Sequence, residues 1–154
     1  MGFLLDSNAC IRFLNDRESS VTLKIAKTPP EQINLCTVVQ NELYYGAYKS
    51  SKVAHNLAIL ALFFNQFRVL PFDSQAAMKT GQIRAELAVK GIPIGPYDCQ
   101  IAAIALVNHL TLITHNTREF KRVEGLQIED WEKEDWEDKK DKKEQKKKSG
   151  IGLS

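Results

Sequence analysis

The sequence predicts an α/β sandwich built around a short, mostly parallel sheet. Three observations carry that expectation. Apolar runs of strand length (Phe3-Leu4-Leu5, Ile33–Thr37, Leu110–Thr114) alternate with longer stretches of helical spacing. Strands that short and apolar, separated by helices, belong to sheets covered on both faces. The first run also stops on Asp6-Ser7-Asn8, and in such sheets the reactive surface lies beyond the carboxyl ends of the strands.

Taken in order, Phe3-Leu4-Leu5 is the first strand and "SNACIRFLN" opens a helix on Ser7 or Asn8. Val21–Ala26 is a short helix stopped by Pro29-Pro30. Ile33–Thr37 is the second strand; Thr37 and Gln40 then have capping-box spacing for a helix through Glu42, Leu43 and Ala47. Leu57–Phe67 reads as a helix, followed by a brief strand, "RVLPF". Asp73 is placed to cap a helix over 74–90, with Ala77, Ile83 and Leu87 on its apolar face and Gly91 ending it. Gly95-Pro96 introduces a helix that buries Ile101, Ile104 and Ala105. Leu110–Thr114 and Leu126–Ile128 are the last strands.

At 154 residues the chain is one domain, residues 1–132, followed by a charged tail, 133–154. From Glu137 onward seven lysines face four acids, while the remaining body carries 14 basic and 15 acidic residues. The basic excess is therefore a property of the tail, whose composition is that of a disordered segment. The longest apolar run, "LAILALFF", is too short to span a bilayer, and no basic region precedes a long apolar segment at the N-terminus. Cys10, Cys36 and Cys99 are scattered and odd in number, which suits a reducing cytoplasm better than a disulfide framework.

Four acids follow strand ends or open helices: Asp6, Glu42, Asp98 and Glu119. Each also has a structural use. Asp6 is placed to cap the next helix, Glu42 and Asp98 suit the dipole of an early helical turn, and "NTRE" has capping-box spacing. Taken together, "LLDSN", "VVQNELYYGA", "IPIGPYDCQIAAIAL" and "LITHNTREF", in that order, resemble the PIN-domain ribonucleases, and within them the VapC toxins of type II toxin–antitoxin systems. The likeness runs from about Phe3 to Trp131, and "TGQIRAELAVKGIPIGPYD" and "TREFKRVEGLQIEDW" extend it.

The resemblance implies a PIN-like three-layer α/β/α sandwich and a catalytic set of Asp6, Glu42, Asp98 and Glu119 that also binds metal. Ser7, Asn8 and Asn116 match supporting polar positions, and Ser7 keeps the hydroxyl that many relatives carry as Thr. It further implies an RNA substrate such as tRNA, a cognate VapB-like antitoxin whose terminal segment fills the cleft, and a homodimer that the run Leu57–Phe67 would help build. Charge supports a metal independently. Two carboxylates about 4 Å apart repel by roughly 4 kcal/mol at an effective dielectric near 20. A cluster of them therefore protonates in part unless a cation joins it. Oxygen ligands alone favour Mg²⁺ or Mn²⁺ over zinc.

Arg12, Arg84 and Arg118 are candidate RNA contacts, each also suited to surface ion pairing. Tyr44, Tyr45 and Tyr48 read as helix packing before base stacking, and His115 reads as a surface residue. Two rivals stand beside the nuclease. A non-catalytic PIN-like protein-binding scaffold has no need of all four acids. An aspartyl phosphatase wants a second Asp two positions beyond the first, where this chain has Asn8.

Overall fold

The computed structural model describes residues 2–132, so the charged segment 133–154 lies outside the described residues. Five strands, β1 (Phe3–Leu5), β2 (Ile33–Cys36), β3 (Arg68–Leu70), β4 (Thr111–Ile113) and β5 (Ile128–Glu129), form one sheet in the order β3-β2-β1-β4-β5. All four pairings are parallel. Between them run α1 (Ser7–Asn15), α2 (Ser20–Lys27), α3 (Thr37–Lys49), α4 (Val53–Gln66), α5 (Ser74–Lys90), α6 (Pro96–Val107) and α7 (Thr117–Phe120). Two crossovers step one way from β1 and the third returns past it to β4. With right-handed connections, the helices then divide between the two faces.

The strands are short but buried: Leu4, Leu5, Ile33, Leu35, Leu112 and Ile113 are closed off from solvent. Helix α6 is apolar nearly all round, with Ile101 through Ala105 buried, as a helix in the middle of a core should be. At the far end of the domain Trp131 packs edge-on against Phe3, with ring centroids 5.2 Å apart. The Ser20 hydroxyl donates to the Trp131 carbonyl, and Glu132 accepts from Arg12 of α1 at 3.0 Å. Among the described residues no helix is long and apolar enough to cross a membrane.

Several local expectations need correction. Thr37 and Gln40 form no capping box. The N-cap of α3 is Cys36, without a side-chain bond, and the Thr37 hydroxyl accepts the N–H of Phe72 at 3.0 Å instead. A partner 35 residues away outcompeted the local one. Helix α4 begins four residues before Leu57, β3 stops at Leu70, and the last strand sits at Ile128–Glu129. On α5, Ala76 is buried and Ala77 exposed. Tyr44 does pack, against Phe64, but Tyr45 and Tyr48 project into solvent. By contrast, Asp73 caps α5 through the Ala76 N–H at 2.9 Å, and Gly91 ends it at φ +68°, where a side chain would be strained.

Candidate active site

The sheet order reverses direction at β1, whose neighbours are β2 on one side and β4 on the other. The crevice beyond the carboxyl ends of β1 and β4 is therefore the topological switch point of the sheet. Asp6 leaves β1 there. Its N–H donates to the Ile113 carbonyl of β4 at 3.1 Å, and its Oδ1 accepts the Ala9 N–H at 2.8 Å. Asp6 is thus the cap of α1, and it also lines a cavity of about 120 Å³ with Ser7, Asn8, Glu42, Asp98, Ile101, Asn116 and Phe120. The two readings of this aspartate are both occupied by one side chain.

The other acids arrive from separate elements. Glu42 comes from α3 and Asp98 from the first turn of α6, just after Gly95-Pro96. Glu119 of α7 is hydrogen-bonded to Asp98 and accepts from Asn116 Nδ2 at 3.0 Å. "NTRE" is therefore no capping box, because the Asn116 side chain holds the Glu119 carboxylate rather than its N–H. Burial is the main cause that pushes the Asp6 carboxyl up to about 6, with the charges of Glu132 and Glu42 adding to it. The Thr114 hydroxyl and the Ala9 N–H pull the other way. Asp98 is also raised to about 6, by burial first, then by the charges of Glu119, Glu42 and Asp6 and the bond to Glu119.

Among the described residues no three such groups are drawn tightly enough to cage an ion unaided. Asp6, Glu42 and Asp98 line the cavity without closing on one point, and Glu119 stands outside its lining. Their chemistry still suits a hard cation that keeps part of its hydration, since every donor is oxygen. The neighbouring thiols are poor ligands: burial pushes Cys36 up to about 11 and Cys10 well above the ordinary range.

None of the three arginines lines this cavity. Arg12 pairs with Glu132 and, at 3.9 Å, with Asp16. Arg84 sits in a separate groove with Leu87, Ile94 and Cys99, and Arg118 is exposed on α7. His115 is an exposed side chain hydrogen-bonded to Asp130 at 3.0 Å, with the Glu132 carboxylate 3.3 Å away. Sequence reasoning missed Thr114. It is 1% exposed, donates to Asp6 and accepts the Asn116 N–H at 3.0 Å, so it joins the first acid to the Asn116–Glu119 pair. Its position one residue past β4, matching that of Asp6 past β1, was the available signal.

A second depression of about 320 Å³ adjoins the first. It is walled by Ile11, Leu14, Leu43, Ala47, Ile59 and Leu60, and Glu42 belongs to both.

Residues 3–126 match the PIN-domain family. The chain belongs to it. Among VapC proteins, it is 42% identical over 129 residues to the tRNA(fMet)-specific endonuclease VapC of Salmonella typhimurium, covering 84% of this chain and 97% of the relative. Ribonuclease VapC2 of Rickettsia felis is 33% identical over 134 residues, or 86% of this chain and all of that one. In structure, the chain resembles DNA-bound VapBC from Salmonella typhimurium, with a TM-score of 0.80 and 41% identity over 85% of this chain and 98% of that one. This PIN domain is thus a VapC family member, and its fold is the three-layer α/β/α sandwich of that family.

Proposed function

We propose that this chain is a divalent-metal-dependent endoribonuclease, the toxin of a VapBC-type pair, acting on RNA of the tRNA class in the cytoplasm. The observation that carries the reading is the meeting of Asp6, Glu42 and Asp98, from three distant elements, in one small cavity, with two of them pushed up to about 6. Acids gathered at such electrostatic cost mark a functional site more often than a structural one. The relatives named for tRNA and RNA cleavage point the same way.

Asp6, Glu42 and Asp98 would hold Mg²⁺ or Mn²⁺, with Glu119 reaching the site through Asp98. Such an ion supplies positive charge against the scissile phosphate and lowers the pKa of water. The chain supplies the rest. Asp6 is fixed by Ala9 and Thr114, so its free lone pairs have one direction. Asn116 Nδ2 fixes the Glu119 carboxylate beside Asp98, and the departing sugar oxygen takes its proton from solvent water. Overall, water adds to phosphorus and the phosphorus–oxygen bond to one sugar breaks.

The apolar groove is the proposed seat of a VapB-like segment. Its wall is aliphatic and it opens at Glu42, so a basic side chain at the end of that segment would reach the acids and shut the site. The three cysteines are free and buried, consistent with a reducing compartment. The decisive experiment incubates the purified chain with bulk tRNA, tRNA(fMet) included, with Mg²⁺ or with a chelator. Cleavage that needs the ion and disappears in Asp98→Asn is expected; equal cleavage by wild type and Asp98→Asn would overturn the assignment.

A further inference from the structure

One polar atom in the acid cavity has no use within the chain. Among the described residues the Ser7 Oγ is the one buried side-chain oxygen without a hydrogen-bond partner. Ser7 lines the cavity and is the first residue of the nine-residue helix α1. A hydroxyl enclosed without a partner is destabilising by about 1–3 kcal/mol, so folding gains nothing from placing it there.

Its surroundings name the class of ligand. The first N–H groups of a helix have no acceptor inside it. Here Asp6 Oδ1 takes the N–H of Ala9, which leaves those of Ser7 and Asn8 at the lip of the same cavity. Three donors from two consecutive residues, at the positive end of a helix, suit an anion that presents oxygen. The acids across the cavity cannot be that anion's partners directly. They suit the cation, so the cavity has a negative wall for a metal and a donor wall for a phosphate.

We propose that the Ser7 hydroxyl, with the N–H groups of Ser7 and Asn8, receives a non-bridging oxygen of the scissile phosphate. The inference rests on the ribonuclease reading and deepens it: Ser7 touches substrate, whereas the acids hold metal. A single enclosed water is the competing occupant, and it predicts no effect on RNA.

The test uses the full chain and tRNA. RNA affinity is measured in the inactive Asp98→Asn background, kinetics in the active one, Mn²⁺ affinity by calorimetry, and stability by thermal melting. Ser7→Ala is expected to weaken RNA binding about tenfold or more, to leave Mn²⁺ affinity within twofold, and to melt no lower than wild type. Ser7→Thr, which keeps the hydroxyl, should restore most of the lost affinity. Unchanged RNA affinity and kinetics in Ser7→Ala would overturn the proposal in favour of a water. Loss of Mn²⁺ affinity in Ser7→Ala would overturn it in favour of a metal role. Cleavage by Asp98→Asn at the wild-type rate would instead bring down the ribonuclease reading beneath it, a result the Ser7 variants do not mimic.

Discussion

The acid cavity and the apolar groove share Glu42 but are built on opposite principles. The cavity is small, about 120 Å³, and its walls are mostly carboxylates, amides and one hydroxyl, closed off by Ile101 and Phe120. The groove is nearly three times larger and mostly aliphatic, between α1 on one side and α3 and α4 on the other. In the cavity, burial raises acids, so that ionising them there is unfavourable, and the proposed cation would relieve that cost. In the groove, exposed Ile11 and Ile59 leave apolar surface that the proposed partner segment would cover. Helix α3 serves both, with Glu42 at the junction and Leu43 and Ala47 facing the groove. One scaffold can thus carry a strong dependence on charge beside one that depends hardly at all on it.

The comparison can be broken at four points. The largest effect is expected from Asp6→Asn and Asp98→Asn: cleavage of tRNA should fall about a thousandfold or more, while capture of a VapB-like peptide stays measurable. Next, Ile59→Glu places a charge in the groove. It should weaken peptide binding by about a hundredfold, since burying an unpaired carboxylate is costly, yet leave cleavage within about twofold. Titration of the peptide by fluorescence beside a cleavage assay checks both.

The third effect is on stability and pH. In the folded chain Asp6 and Asp98 hold protons up to about 6, against 3.8 ordinarily. Between those values the folded state binds more protons than the unfolded one, so metal-free stability falls as pH rises through that window and stays lowered above it. The loss is about 3 kcal/mol from Asp6, less from the partly exposed Asp98. Metal-free melts should therefore be higher at pH 5 than at pH 7, and Mg²⁺ should recover the difference at pH 7. The smallest effect is Thr114→Val, which removes the hydroxyl between Asp6 and Asn116. Turnover should drop about tenfold with KM for RNA little changed, and Thr114→Ser should recover it.

Much of this was readable in the chain. Strand runs such as Phe3-Leu4-Leu5 and helix punctuation such as Asp73 and Gly91 are local signals, and local physics decides them. What escaped was decided at long range. The Thr37 hydroxyl was drawn to Phe72, and Asn116 turned its amide to the Glu119 side chain. The strand-end position of Thr114 was legible, but its role was not, because that role exists only once β4 lies beside β1. Arg12 could be read as an RNA contact or as an ion-pair partner, and the residue that decides it, Glu132, lies 120 residues away.

The strand that delivers Asp6 precedes the other four strands in the chain, yet it lies in the middle of the sheet, hydrogen-bonded to a strand that begins at Thr111. Its carboxylate cannot be enclosed until that late strand has docked. Shortened chains that stop before Thr111 should then be inert as well as unstable, and a nuclease so arranged stays harmless on the ribosome until its fourth strand has emerged and docked.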